Sequence, residues 1–377
     1  MGISFSKINR ITIGSRNATL NPSSQILTDG TQEWRIIAED GELKWQYAMT
    51  ALGFDGTEST DGVTGDYYTP ESIPIGDFAF IFELTTTSPN ETVVMPHRAT
   101  ANVDYIINYG DGSGAKKVQV YNSVNASHSY SDIGTYTVKI EGICNSFESF
   151  EGDANIPLTL TKIVSWGRVG LTYLTLSGCN LITEIPNDNY GGLKDVLSFG
   201  GTFTGLGILS IPSRLFRYVG NVSNFQSCFD GCANITEVPE GLMDYCTSAV
   251  NVKIMFDDCA SLQTIHASLF ANCPLIDSIY FTFKATALTN IPDGLLDNCP
   301  LIINAMGAFE NTDIVSIPAN LFAHQTMTNL YNTFKNCTQI TGDVPALWLT
   351  YPAMALPQSF NGCINASNYA SIPANWK

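Results

Sequence analysis

Four histidines and ten cysteines are the side chains with the most chemical range in this chain of 377 residues. His97 lies in a Met-Pro-His-Arg stretch, His128 in His-Ser-Tyr, and His266 beside Ile265, while His324 falls in a turn. None belongs to a nucleophile motif or to an H-E-x-x-H pattern, in which two imidazoles one helical turn apart hold zinc. The G-x-x-x-x-G-K-[ST] phosphate cradle and the dinucleotide fingerprint are also missing from the sequence. Gly110-Asp111-Gly112 and the acidic, Gly-rich stretch 55–66 lack the alternating Asp/Asn ligands of a calcium loop and read as turns. Among 35 acidic residues a carboxylate pair for glycan cleavage remains open, because only folding brings such a pair together. The chain is expected to be non-enzymatic, with no cofactor and no metal, and a glycan-degrading enzyme is the third class considered.

The cysteines lead from chemistry to architecture. Zinc sites need paired Cys or His at close spacing, twice over. Here Cys179, Cys232, Cys259, Cys337 and Cys363 form one column at about one per repeat, and Cys246, Cys273 and Cys299 form another. They are expected as reduced, buried thiols that pack as small hydrophobes. The period they follow is set by an apolar-Pro dipeptide beginning at Ile185, Ile211, Val238, Ile291, Ile317, Val344 and Ile372, with Ile265-His266 as a copy that lacks Pro. Successive copies are 26, 27, 27, 26, 26, 27 and 28 residues apart. An aromatic keeps the same phase as Phe203, Phe229, Phe256, Phe283, Phe309, Phe334 and Phe360, and a bulky pair such as Leu215-Phe216 or Leu269-Phe270 follows each dipeptide. A single unit of this length cannot bury its apolar columns alone, whereas stacked units align them into one continuous core.

The run Leu171 to Leu181 fits L-x-x-L-x-L-x-x-C-x-L, with Leu174 and Leu176 expected inward and Thr175 outward. With the F-x-x-C-x-x-L-x-x-I-P-x-x-L-F units that follow, residues 166–377 resemble the BspA-like class of bacterial and phage leucine-rich repeats. The resemblance implies a leucine-rich-repeat solenoid. Trp166, beside Gly167 at its start, is expected to cover the open apolar end.

Upstream, apolar alternation over 78–84, 103–109, 118–120 and 136–140 predicts strands separated by turn residues. The elements Gly110-Asp111-Gly112, His128-Ser129-Tyr130 and Gly134-Thr135-Tyr136-Thr137-Val138 look like a PKD-type immunoglobulin-like domain. That family usually carries Trp in the strand before G-D-G, where this chain has Tyr105 and Tyr109. The resemblance implies a spacer or presenter. The expected fold class is therefore mainly β with short helices, an immunoglobulin-like β-sandwich followed by a leucine-rich-repeat solenoid. The expected domains are 1–75 (a docking segment or small β module), 76–145 (PKD-type), 146–165 (connector) and 166–377 (solenoid). Trp34, Trp45 and Tyr47 are the candidate docking residues of the first.

A net charge of −17 without a Lys/Arg cluster argues against nucleic acid and against an anionic membrane surface. No segment approaches the roughly 20 apolar residues of a membrane helix. The N-terminus has no apolar stretch of signal-peptide length, so export by the usual route is not expected. Charged residues make up only 14% of the chain, so Asn, Ser, Thr and Gly must supply the polar surface, as in extended, exposed β-rich proteins.

With the repeated Phe as the inward anchor, alternation places Gln226, Asp230, Lys253, Asp257, Tyr280, Lys284, Glu310, Tyr331 and Lys335 on an outward recognition face. The leading expectation is a bacteriophage virion surface protein: a head or tail fibre or a decoration protein. It would meet other virion proteins through its N-terminus and a host-surface protein or glycan through the repeats. Cytoplasmic assembly would keep the thiols reduced. A bacterial cell-surface adhesin is the alternative. A homo-oligomer is compatible with either, although no coiled-coil signal marks one.

Overall fold

The computed structural model describes residues 79–149 and 156–377, together with the backbone of five strands before residue 49. The fold is mainly β, with few helices. The chain forms two compact units, Met1–Asp77 and Phe78–Lys377. In the first, β1 (Arg10–Ile13), β2 (Arg16–Asn21), β3 (Ile26–Thr28), β4 (Glu33–Glu39) and β5 (Glu42–Ala48) follow one another in an antiparallel meander. Trp34 pairs with Tyr47 and Trp45 with Ile36 in the β4–β5 register. The side chains of these three candidate docking residues lie outside the described residues.

The second unit opens with two antiparallel sheets. Strands β6 (Phe80–Thr85), β8 (Val103–Asn108), β9 (Ala115–Val118) and β11 (Thr135–Cys144) belong to the larger sheet. Strands β7 (Glu91–Val94) and β10 (Ser127–Tyr130) form the smaller. Strand β6 alternates buried with half-buried positions, so Phe80, Phe82 and Leu84 enter the core, and β8 does the same with Val103, Tyr105 and Ile107. Three of these strands depart from the sequence expectation. The strand expected over 118–120 is β9, which ends at Val118 and leaves Val120 exposed. Strands β7 and β10 are short and half-polar, so their apolar alternation is too weak to read.

The described parts of residues 146–165, expected as a connector, are braided into both neighbours. Strand β12 (Ser146–Glu148) continues directly from β11 and pairs in parallel with β14 (Tyr173–Thr175), the first strand of the repeat region. After the single turn α1 (Ile156–Thr159), β13 (Leu160–Ser165) returns to the edge of the larger sheet against β6. The physical reason lies in Phe147, Leu160 and Ile163, which are fully buried and would be costly in a free linker. Thr175, expected outward, is 5% exposed beside β12.

Two glycines hold the junction. A side chain at Gly167 (φ +61°) would lie 2.3 Å from the Phe80 nitrogen, and one at Gly192 would lie 2.2 Å from the Gly167 oxygen. Trp166 packs over this contact, stacked on Phe80 (6.5 Å, 8°) and donating its indole N–H to the Pro186 carbonyl at 2.9 Å. Its other neighbour is Phe203, at 6.1 Å.

From there the repeats lie side by side. The rings of Phe203, Phe229, Phe256, Phe283, Phe309, Phe334 and Phe360 stack in order with centroids 5.3–5.8 Å apart, and Trp376 covers Phe360 at 6.3 Å. Each such stacked pair contributes about 0.5–1.5 kcal/mol beyond its buried area. The backbone is bonded across repeats in one direction. Phe225, Ser227, Phe229 and Gly231 N–H donate to the carbonyls of Asn251, Lys253, Met255 and Asp257, and the same ladder recurs along the region.

This ladder is not an extended strand. The residues two before each Phe from Ser227 to Asn332 (Ser227, Ile254, Phe281, Gly307, Asn332) have φ between 52° and 60°, and Asp258, Ala285, Asn311 and Asn336, two after theirs, have φ between 54° and 60°. Outside β14, β-type pairing between the described neighbouring repeats is confined to isolated parallel bridges such as Asn224↔Asn251 and Ser278↔Asn304. The bulky pair falls in turns, apart from the short α2 (Leu347–Thr350).

Candidate recognition face

All ten cysteines are free and buried. In the first column the thiols of Cys232, Cys259, Cys337 and Cys363 donate to the carbonyls of Phe203, Phe229, Phe309 and Phe334 in the preceding repeat, at 3.0–3.1 Å. Thr286 and Thr312 occupy the same column and give their hydroxyls to Phe carbonyls at 2.9 Å. Gln325 fills the second column's place and donates to the Leu296 carbonyl at 2.7 Å. Burial pushes the thiols of Cys179, Cys232, Cys273, Cys299 and Cys363 up to about 12, so these are inert packing groups with a weak hydrogen bond.

In the two-sheet region Cys144 Sγ lies 3.7 Å from His97 Nε2, which also meets the Tyr105 hydroxyl at 3.2 Å. Burial pushes the Cys144 thiol up to about 12 and the His97 imidazole down, against a weak contact to the Tyr121 carbonyl. Both groups are held neutral and Cys144 is wholly covered, so this pair is no thiolate nucleophile. His128 is buried, stacked on Tyr109 at 4.4 Å, with Nε2 2.7 Å from Asp111 and Nδ1 3.1 Å from Lys116 Nζ. The lysine donates to Nδ1, so Nε2–H faces the carboxylate. Burial opposes the charge on Asp111, but hydrogen bonds from Ser113 and His128 outweigh it and bring its carboxyl down to about 2. The motif of the G-D-G turn and the His-Ser-Tyr strand is thus a structural corner, closed by the Tyr130 hydroxyl on the Tyr109 carbonyl at 3.0 Å.

The nine candidate recognition residues separate into two columns. Gln226, Lys253, Tyr280 and Tyr331 precede their Phe by three positions and are exposed or half-buried. Asp230, Asp257, Lys284, Glu310 and Lys335 directly follow theirs. In this second column Asp257 and Glu310 are only 7% and 8% exposed, which corrects their placement as outward residues. The turned backbone lays these side chains along the repeat axis. Lys284 covers Asp257 at 3.2 Å, and Lys335 covers Glu310 at 3.2 Å.

Asp230 stands at the unbalanced end of this charge column. One of its carboxylate oxygens and one each from Asp257 and Asp258 lie within 4.8 Å of one another. Burial, reinforced by Asp257 and Asp258 and opposed by Lys284, pushes the Asp230 carboxyl up to about 6. Both Asp257 oxygens already accept from Lys284, at 3.2 and 3.3 Å, so the trio offers a cation no buried carboxylate free of a partner.

One residue, Phe281, escapes simple alternation. Phe281 occupies a left-handed position (φ 52°), and the Cδ1–Cε1 edge of its ring abuts Gly307, where a side chain would meet it at 1.9 Å. The ring stands 4.3 Å from that of Tyr280, with Lys284 Nζ 5.1 Å above it. Met306 extends the Tyr280 column toward Tyr331, which is 39% exposed. The legible signal was compositional, since Gly, Ser, Ile, Asn and Gln fill the other places in the Phe281 column. A second missed column is Asn224, Asn251, Ser278, Asn304 and Asn329, five before each Phe. Each of these side chains accepts the backbone N–H two residues on, at 3.0–3.2 Å, and shapes the turn that presents the face. Neither protein-family models nor the curated proteins contain a match to this chain.

Proposed function

We propose that this protein is a non-enzymatic surface component of a bacteriophage virion, a head or tail fibre or a decoration protein. It docks on other virion proteins through its N-terminal region and presents its repeats to a host or mucosal surface. In this reading residues 166–377 are a leucine-rich-repeat solenoid of the BspA-like kind, and residues 79–165 an immunoglobulin-like sandwich of PKD type that acts as its base.

The observation that carries the proposal is the junction. Strands β12 and β13, the Phe80–Trp166 stack and the bidentate Arg98–Glu148 pair (2.6 and 2.9 Å), with Arg98 lying 3.6 Å over the Tyr173 ring, tie the repeats to the two-sheet region. A presenter must hold its recognition surface at a set angle, and a joint of this kind supplies the stiffness. The sealed Cys144–His97 pair and the structural His128 corner favour presentation over chemistry.

An antibody against residues 166–377 is expected to decorate intact phage particles in immunogold micrographs. Labelling of the bacterial envelope instead of particles refutes the virion reading and favours the surface adhesin.

A further inference from the structure

We propose that Asn361-Gly362 is a site of spontaneous chemical modification, where the asparagine side chain loses ammonia and the Phe360 repeat acquires aspartate or isoaspartate. The inference goes beyond the function above and does not depend on it.

The sequence isolates the site. Asn361-Gly362 is the only Asn-Gly pair in the chain. Asn-Gly is the most reactive context for asparagine, because glycine puts no side chain in the way of its own nitrogen and leaves the backbone free to turn. Glycine is required at 362 for a separate reason. Its φ is +82°, and a side chain there would lie 2.6 Å from Asn336 Oδ1. Packing between repeats therefore keeps the reactive pair in place.

The fold then decides whether the glycine nitrogen is available. In the earlier repeats the equivalent N–H, two positions after each Phe, is held by the following repeat. From Gly205 to Asn336 it donates to a carbonyl there at 2.7–3.1 Å. In the Phe360 repeat, Gln358 and Phe360 still reach the Asn375 and Trp376 carbonyls, at 3.1 and 2.9 Å. The Gly362 N–H has no acceptor among the described residues, and the Asn361 side-chain amide makes no hydrogen bond among them. Both residues are half-buried, so water reaches them. The nitrogen can lose its proton, and the side chain can rotate towards it.

The reaction needs only water and hydroxide. Hydroxide takes the Gly362 amide proton, and the nitrogen attacks Asn361 Cγ. The new N–C bond forms as the Cγ–NH2 bond breaks, and the amino group takes a proton from water and leaves as ammonia. Water then opens the cyclic imide at one carbonyl to give aspartate or at the other to give isoaspartate. Isoaspartate adds a methylene to the main chain next to Phe360, whose ring lies between Phe334 and Trp376, and two residues before Cys363, whose thiol donates to the Phe334 carbonyl. The Phe360 repeat is thus where the stack ages first.

Asp230→Asn supplies the control. It creates a second Asn-Gly pair directly after Phe229, as Asn361 directly follows Phe360, but the Gly231 N–H is held by the Asp257 carbonyl at 2.8 Å. The full chain and this variant are incubated in native buffer at pH 8 and digested. Mass spectrometry follows the exchange of NH for O, and chromatography resolves isoaspartate. In native protein Asn361 is expected to convert at least about tenfold faster than the introduced asparagine, the ratio that about 1.4 kcal/mol of retained hydrogen bonding produces. In guanidinium the two are expected to convert at similar rates. Asn361→Gln, whose longer side chain must close a less favourable ring, is expected to remove the product. Circular dichroism checks the fold of each variant. A native Asn361 as inert as the introduced asparagine overturns the inference, and so does equal conversion of both in native protein. Native Asn361 is also expected to convert within about tenfold of its own rate in guanidinium. A slower native rate overturns the inference even if Asp230→Asn fails to fold.

Discussion

Asp230→Asn tests the charge column at its unbalanced end. Burial, with Asp257 and Asp258 adding to it against the pull of Lys284, raises the Asp230 carboxyl from an ordinary 3.8 to about 6. A carboxyl with a folded pKa above its unfolded one holds more protons folded than unfolded between the two values. Its contribution to stability is therefore complete below 3.8 and is lost as pH rises through 6. The gap from 3.8 to about 6 corresponds to about 3 kcal/mol at about 1.36 kcal/mol per pH unit. Asp230 is only half-buried, and solvent screening reduces this to about 1–2 kcal/mol. Asparagine keeps the shape and removes the charge. Asp230→Asn is therefore expected to stabilise the fold by about 1–2 kcal/mol at pH 8 and to make no difference near pH 3.5, where both side chains are neutral. Urea unfolding followed by far-UV circular dichroism, at both pH values, measures the difference through the midpoint. Equal stabilisation at the two pH values, or destabilisation at pH 8, refutes the electrostatic reasoning.

Removing the cation from the same column has the opposite sign. Lys284→Met keeps an apolar stem over Phe281 but leaves the buried Asp257 without its partner, at a cost of about 2 kcal/mol at pH 8, below the roughly 3–5 for a fully buried pair because Lys284 is partly exposed. Burial already raises the Asp257 carboxyl, against Lys284, so this cost should shrink on acidification as Asp257 takes up a proton, and a constant cost across pH tells against it. Gly192→Ala drives a methyl to 2.2 Å from the Gly167 oxygen and 2.8 Å from Trp166 Cβ. A loss of about 2–3 kcal/mol in chemical denaturation is expected, and a neutral outcome would mean the junction can open without strain. The ten buried thiols should resist a thiol-reactive dye in the native protein at pH 8 and all react in guanidinium, so rapid labelling of native protein disproves their sealed placement.

Periodicity carries most of what the sequence by itself determined. A 26–28-residue spacing aligns equivalent residues into columns, and stacked repeats bury Phe229, Phe256 and Phe283 together, which is why the inward residues were legible. The inward cysteines followed from the same reasoning, and the structure adds that Cys232, Cys259, Cys273, Cys299, Cys337 and Cys363 donate to a carbonyl one repeat back. The candidate face was legible only in part. Alternation assumes an extended strand, and the left-handed residues at Ser227, Ile254 and Phe281 break that assumption. With Gly307 they turn Asp257 and Glu310 along the axis and into burial, and they set the edge of the Phe281 ring against Gly307. The left-handed residues Ile254 and Phe281 donate their N–H groups to the Tyr280 and Met306 carbonyls of the neighbouring repeat, a long-range pairing that residue type did not reveal. The junction depended on tertiary structure for a similar reason. Residues 146–165 carry two short strands whose partners, β14 and β6, lie elsewhere in the chain, and only the packed core around Phe147 and Trp166 selects them. Local pattern determined what lies inside. Long-range pairing decided which surface remains to meet a partner.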